Sequence, residues 1–387
     1  NRYFPYKTKM TQSQKIIITL LSITACALLI GLGYYTYSNY QTFASQPLGP
    51  AMPISQQSLP PTWTAYPGPS PTLVGQVTLA PLVIFPTATP SAMCGGPNIM
   101  NILLIGADTR GDNYTYGLAD AIRIVRVDFV TPKVTVLEFP RDLWVEIPHI
   151  SDNLNGQDHE KLNQAYLYGQ PGFQYWDDPS GGSGLLALTL NKNFGVQTEH
   201  YVSINMRTFE NIINALGGID VNITTEAAAH STNLSIGIHH LTGAEALKVA
   251  RNRQGGSFER ADNQNIVLCG LRKKLTSPTI VTQIPELIEA FRDNIRTDFT
   301  PEQISQLACL GTRLPPQNIV FTSFPQELFT QTREFDPVFN KRISILAADF
   351  NILSDYVRNF HAGSWPASLP SISVSSSEDE DAPLICE

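Results

Sequence analysis

No aspartate, glutamate, lysine or arginine occurs between Ile16 and Ala107, although the 387-residue chain carries 26 basic and 34 acidic residues. The first third is therefore a different material from the rest. Basic residues are scarce overall, and a net charge of −8 lacks the cationic footprint that nucleic-acid phosphates demand. Cysteine is sparse as well. Five of them exclude a disulfide-dense mini-scaffold, and no C-x-x-C or H-E-x-x-H spacing supports a zinc site.

What fills the uncharged region is informative. Ile16 to Tyr35 reads IIITLLSITACALLIGLGYY, about twenty residues, which matches a hydrocarbon layer ~30 Å thick at ~1.5 Å per residue. It reads as a membrane span. A cleavable signal peptide has a shorter apolar region, usually about 7–15 residues. A lipoprotein signal ending at Cys26 is disfavoured by the apolar run that continues through Ala27 to Tyr35. Arg2, Lys7, Lys9 and Lys15 precede the span and nothing basic follows nearby, so residues 1–15 are expected in the cytoplasm and all that follows Tyr35 outside. Met10 as an alternative start leaves that topology unchanged. Residues 36–97 include twelve prolines from Gln46 to Pro97 and are expected to be a semi-rigid extracytoplasmic spacer. Residues 363–387, rich in Ser and Pro and ending near Glu378-Asp379-Glu380-Asp381, read as a solvated, disordered tail.

Between the two lies one domain, 98–362. Asn98 to Gly106, Ala121 to Val130 and Val134 to Phe139 read as strands, the last two joined by Thr131-Pro132 as a hairpin. Tyr201 to Ile204 and Ile219 to Ile223 are further strands. Helical periodicity marks Gly184 to Asn193, Met206 to Leu216, Gly243 to Arg251, Asp262 to Leu275, Ile284 to Phe291 and Pro301 to Arg313. The expected fold class is α/β, a central mixed β-sheet flanked by several α-helices. Cys269 and Cys309 are placed to bridge on helices, Cys94 and Cys386 in the flanks; free thiols are the alternative.

Five motifs recur in order: Asn98 to Gly106 followed by Asp108 and Arg110; Ala119-Asp120; Phe139-Pro140-Arg141-Asp142; Lys161-Leu162-Asn163; and, after Leu216-Gly217-Gly218-Ile219-Asp220 and Leu241-Thr242-Gly243, the pair Arg251 and Arg253 with Arg260 and Gln264. Together they resemble the LytR-CpsA-Psr family across Asn98 to Arg272. The resemblance implies an α/β domain with a lipid-holding cavity and transfer of glycopolymer from a polyprenyl-pyrophosphate carrier to a cell-wall acceptor such as peptidoglycan. It also implies that Lys161 and Gln264 lie at the pyrophosphate.

The residues have a chemistry of their own. If the strands bearing Asp108 and Asp120 are neighbours, two carboxylates converge at one sheet edge, a donor set that suits Mg²⁺ completed by phosphate oxygens. The same aspartates would otherwise be a turn former and a strand cap. Arg110, Arg141, Arg251, Arg253 and Arg260 fall at predicted loops and element ends, where guanidinium forks bind phosphate bidentately; singly, each reads equally as a surface ion pair or a helix-dipole partner. Arg110 and Arg141 are assigned to the reacting phosphate, Arg251, Arg253, Arg260, Gln264 and Lys161 to pyrophosphate binding, and Asp108 and Asp120 to the metal. The chain departs from the resembled pattern at Ser257, Glu259 and Asn263, the last standing where an arginine is usual. One charged hydrogen bond fewer is worth ~1.5–3 kcal/mol. A non-catalytic polyprenyl-phosphate-binding scaffold and a pyrophosphate hydrolase are the alternatives.

Overall fold

A computed structural model describes residues 12–53, 91–109, 117–152, 154, 156–252, 257–277, 294–336, 340–366 and 384–385. Helix α1 (Gln12–Ser45) is followed by strands β1 (Ile99–Ala107), β2 (Ala119–Asp128), β3 (Lys133–Glu138), β4 (Trp144–Glu146) and β5 (His159–Lys161). Next come α2 (Leu162–Tyr168), α3 (Gly181–Phe194), β6 (His200–Asn205), α4 (Met206–Ala215), β7 (Ile219–Ile223), α5 (Glu226–Thr232), β8 (Gly237–Leu241), α6 (Gly243–Ala250) and α7 (Ser257–Leu275). The described chain closes with β9 (Ile295–Thr297), α8 (Pro301–Arg313), β10 (Ile319–Ser323), β11 (Phe329–Asp336), β12 (Lys341–Ala348), α9 (Phe350–Ala362) and β13 (Leu384–Ile385).

Seven strands form one mixed sheet in the order β13-β10-β3-β2-β1-β6-β9. β1 pairs antiparallel with β2 and parallel with β6, while β10 lies parallel to β3. β1 is nearly all apolar because both of its faces are covered. On one face Leu103, Ile105, Ile122, Ile124 and Leu137 pack against α2, α3 and α9. On the other, Met100, Ile102, Val127 and Val136 meet Leu310 of α8 and Leu268 of α7. A third, smaller cluster joins β7, β8, α4, α6 and α7.

Local chemistry sets the element ends. The Asn205 side chain accepts from the Thr208 amide at 2.8 Å and caps α4. Thr242/Glu245 and Thr300/Gln303 form capping boxes on α6 and α8, the latter with Pro301 in its first turn. α3 stops at Gly195, whose φ of 73° needs a residue without a Cβ penalty.

Several expectations change. β7 is not in the central sheet; it pairs with β8 as a separate ribbon, because its outward residues Asp220 and Asn222 are exposed and only one face finds a core. The helix expected at Asp262 begins at Ser257, and the one expected at Ile284 to Phe291 lies outside the described residues. The apolar helix continues past Tyr35 to Ser45, and residues 46–53 at the start of the expected spacer dock on the domain, while 54–90 lie outside the described residues. The Leu48 amide donates to the Phe299 carbonyl at 2.9 Å, Tyr201 Oη donates to the Pro50 carbonyl at 3.1 Å, and Met52 enters the main core. The tail likewise is not wholly free, since Leu384 and Ile385 pair with β10. Cys94 is bonded to Cys309, which is neither of the pairings expected, and Cys269 is disulfide-bonded as well. The docking of residues 46–52, the β10–β13 pairing and the Cys94–Cys309 bond join residues far apart in the chain, which local pattern does not encode.

Candidate anion and metal site

Antiparallel pairing of β1 with β2 brings the two candidate metal-binding aspartates together. Asp108 is the first residue after β1; its amide donates to the Leu118 carbonyl at 2.9 Å, and its Oδ1 accepts the Leu118 amide at 2.7 Å. The register slips at this point. Gly106 faces Ala121 and Ala107 faces Ala119, so Asp120 is the extra residue of a β-bulge, a device that re-aims a side chain at a strand end. Asp120 was expected just before the strand and instead lies inside it. Burial pushes the Asp108 carboxyl above the usual range, and the neighbouring Asp120 charge adds to that, against the Leu118 amide, Arg141 and Arg251.

The ends of β3 and β5 supply the counter-charges. Arg141 forms an ion pair with Asp120, and its Nε reaches Asp142 at 3.4 Å. Lys161 Nζ meets the other oxygen of Asp142 at 2.9 Å. Charges thus alternate along a row from Asp120 to Arg141, Asp142 and Lys161. The loop is held from below, as the Asn163 amide donates to the Arg141 carbonyl at 3.1 Å. Burial opposes the Arg141 charge, yet Asp120 and Asp142 more than offset it and hold the guanidinium more firmly protonated than usual. Burial likewise works against ionised Asp142, but the Lys161 hydrogen bond and Arg141 leave its carboxyl below the usual range.

Two further guanidinium groups lie within electrostatic reach of this row. Arg251, exposed at the end of α6, acts electrostatically on Asp108. Arg260, on α7 and 5% exposed, acts on Glu138 and Asp142. A narrow crevice opens between Glu138, Pro140, Phe258, Arg260 and Phe324. Asp108, Asp120, Arg141, Lys161, Arg251 and Arg260 therefore converge, whereas Arg110 and Arg253 lie outside the described residues. Gln264 is turned inward: its Oε1 accepts from Arg123 at 3.1 Å and its Nε2 donates to the Ala250 carbonyl at 3.3 Å. Asn263 is 1% exposed and bonded to Ser231, so this position serves packing between α5 and α7.

The donor set fits a magnesium ion in number and kind, because Mg²⁺ takes one or two carboxylates and fills its octahedron with water and phosphate. Among the described residues no group of three or more His, Cys, Asp or Glu is arranged for an all-protein metal cage. Sequence reasoning missed Arg123 and Glu138, which form a buried ion pair at 3.2 Å beneath α7. The available signal was an arginine in the middle of the apolar run Ala121-Ile122-Arg123-Ile124-Val125.

A mixed α/β sheet gathers carboxylates and guanidinium groups at the carboxyl ends of β1 and β3, the edge at which open α/β sheets commonly hold ligands. Residues 92–344 match the LytR_cpsA_psr family, and the chain belongs to it. It is 30% identical over 213 residues to the polyisoprenyl-teichoic acid–peptidoglycan teichoic acid transferase TagU of Enterococcus faecalis, covering 54% of this chain and 64% of that protein. With the TagU protein of Bacillus mycoides it shares 28% over 208 residues, 53% of this chain and 62% of that one. These alignments span less than two thirds of the relatives' own length. Among solved structures, B. subtilis TagV superposes with a TM-score of 0.52 at 21% identity, covering 68% of this chain and 98% of that one. TagT bound to LIIa-WTA gives 0.51 at 20%, covering 68% and 90%. At such identities the likeness establishes the fold.

Proposed function

We propose that this protein is an extracytoplasmic phosphotransferase that moves a glycopolymer from a polyprenyl-pyrophosphate carrier to a cell-envelope acceptor such as peptidoglycan. The observation that carries this reading is the alternating row Asp120, Arg141, Asp142 and Lys161, faced by Asp108, Arg251 and Arg260. Four cations against three carboxylates, with a metal ion on Asp108 and Asp120 to offset the latter, suit a ligand that bears several negative charges of its own. The names of the curated relatives point to the same class of donor and acceptor.

In the reaction an acceptor hydroxyl oxygen bonds to the sugar-linked phosphorus, and the bond from that phosphorus to the bridging oxygen breaks. The electron pair leaves with polyprenyl phosphate, and the hydroxyl proton passes to solvent or to the departing phosphate, no side chain being assigned as base. Positioning and charge neutralisation carry most of the rate in such transfers. Arg141, held in place by Asp120 and Asp142, offers its remaining N–H groups to the reacting phosphate. Arg251, Arg260 and Lys161 bind the other phosphate oxygens and stabilise charge on the departing group. Asp108 and Asp120 would hold Mg²⁺, which when bound neutralises the pyrophosphate as a Lewis acid. The helix spanning Thr19–Ser45 is long and apolar enough to cross a membrane. With the basic residues before it on the cytoplasmic side, it would anchor the domain outside.

The test is a turnover assay on the full chain in detergent with lipid-linked glycan, acceptor and Mg²⁺. Release of polyprenyl phosphate that requires acceptor and disappears in Asp120→Ala supports transfer. Tight binding of an unaltered lipid would make the protein a scaffold, and phosphate products without acceptor would make it a hydrolase.

A further inference from the structure

Arg123 lies in the middle of the central strand β2 and is 2% exposed. Its Nη2 meets Glu138 of β3, its register partner, at 3.2 Å. From that fixed base the guanidinium reaches one face of α7 at three points: the Ala261 carbonyl at 3.3 Å, Gln264 Oε1 at 3.1 Å and Asn265 Oδ1. Positions 261, 264 and 265 follow the i, i+3, i+4 spacing of a single helix face. Gln264 passes the constraint on, because its Nε2 donates to the carbonyl of Ala250, the last residue of α6. The next residue is Arg251, which acts on Asp108.

A buried ion pair is weak evidence for stability, since apolar residues of like size are often as stabilising or more so. The buried guanidinium therefore asks for a role that depends on its direction. We propose that Arg123 is a positioning residue for the anion site, orienting Gln264 and, through the Gln264–Ala250 hydrogen bond, fixing the end of α6 that presents Arg251. This rests on the reading of the site given above, yet the relay exists in the fold without any ligand. Gln264 then acts through its backbone partner, and the phosphate contact belongs to Arg251.

The test uses the full chain in detergent and Arg123→Lys, which keeps the charge opposite Glu138 and loses the fork. Hydrogen exchange in the peptide covering Ala246 to Asn252 should accelerate about tenfold, the worth of one charged hydrogen bond, while a control peptide from α9 stays unchanged. Inorganic pyrophosphate with Mg²⁺, titrated by calorimetry, should bind the variant about fivefold to tenfold more weakly. In an Arg251→Ala background, Arg123→Lys should cost nothing further. Unchanged exchange at the α6 end overturns the relay, as do affinity losses that multiply between the two sites. If Arg123→Lys shows no cooperative melt, Gln264→Met takes its place in the same cycle, with the same outcomes. Wild-type protein that fails to bind pyrophosphate would strike the proposed function alone, because the exchange measurement still decides the relay.

Discussion

Glu160 offers a direct check on how the domain handles buried charge. It occupies the middle of β5 opposite Val145, is 0% exposed, and shares its surroundings with Asp336 of β11, also 0% exposed. Burial first, and the Asp336 charge second, push its carboxyl from the ordinary 4.5 up to about 7. A gap of that size is on the order of 3 kcal/mol at ~1.36 kcal/mol per pH unit. In the folded protein Glu160 keeps its proton below pH 7, whereas in the unfolded chain it ionises near 4.5. Its contribution to stability is therefore fully present below about pH 4.5, declines as the pH rises, and is lost above about 7. Glu160→Gln keeps the shape and cannot ionise. Chemical denaturation of the full chain in detergent, followed by tryptophan fluorescence, should find the variant equal to wild type near pH 4.5. By pH 8 it should be more stable by ~2–3 kcal/mol. Titrating groups not coupled to Glu160 cancel in the difference, so a difference that stays flat from pH 5 to 8 would refute the protonated, solvent-free state of Glu160.

Removing the Cys94–Cys309 bond by Cys94→Ser, which unties the segment before β1 from α8, should cost ~2–4 kcal/mol. An unchanged melting temperature would show that the surrounding packing suffices. Phe139 is 1% exposed and its ring centroid lies 5.3 Å from that of Phe194 and 5.1 Å from that of Phe324. Phe139→Ala should destabilise by ~3–5 kcal/mol, read by urea denaturation, and a loss under 1 kcal/mol would mean that the ring is not part of a close-packed core. Lys161→Met leaves Asp142 with Arg141 as its remaining near cation in the row. Pyrophosphate affinity should fall roughly twofold to fivefold, the worth of one partly exposed cation, and the deficit should shrink in high salt; equal affinity at low salt would remove Lys161 from the site.

Much of this protein was legible in one dimension. Twenty uncharged apolar residues define a helix long enough for a bilayer whatever their neighbours are, since the backbone must satisfy its own hydrogen bonds in hydrocarbon. Runs of β-branched residues bounded by turns located β1, β2, β3 and β6, and helical periodicity from Pro301 to Arg313 located α8, because both signals act within a few residues. The charged pairs were legible as candidates only. Asp108 and Asp120 become neighbours through a bulge between Gly106 and Ala107, a slip of register that no local pattern specifies. Met52 in the core, Cys94 against Cys309, and Arg123 under α7 each join segments whose attraction exists only once the sheet has formed. Periodicity and composition therefore located part of the elements and the α/β fold class, and left β4, β5, α2, α5, β8 to β13 and α9 unassigned. Which charges meet, which are buried and which way Gln264 faces was decided by the tertiary structure, because electrostatics and burial depend on distances in space and not on separations along the chain.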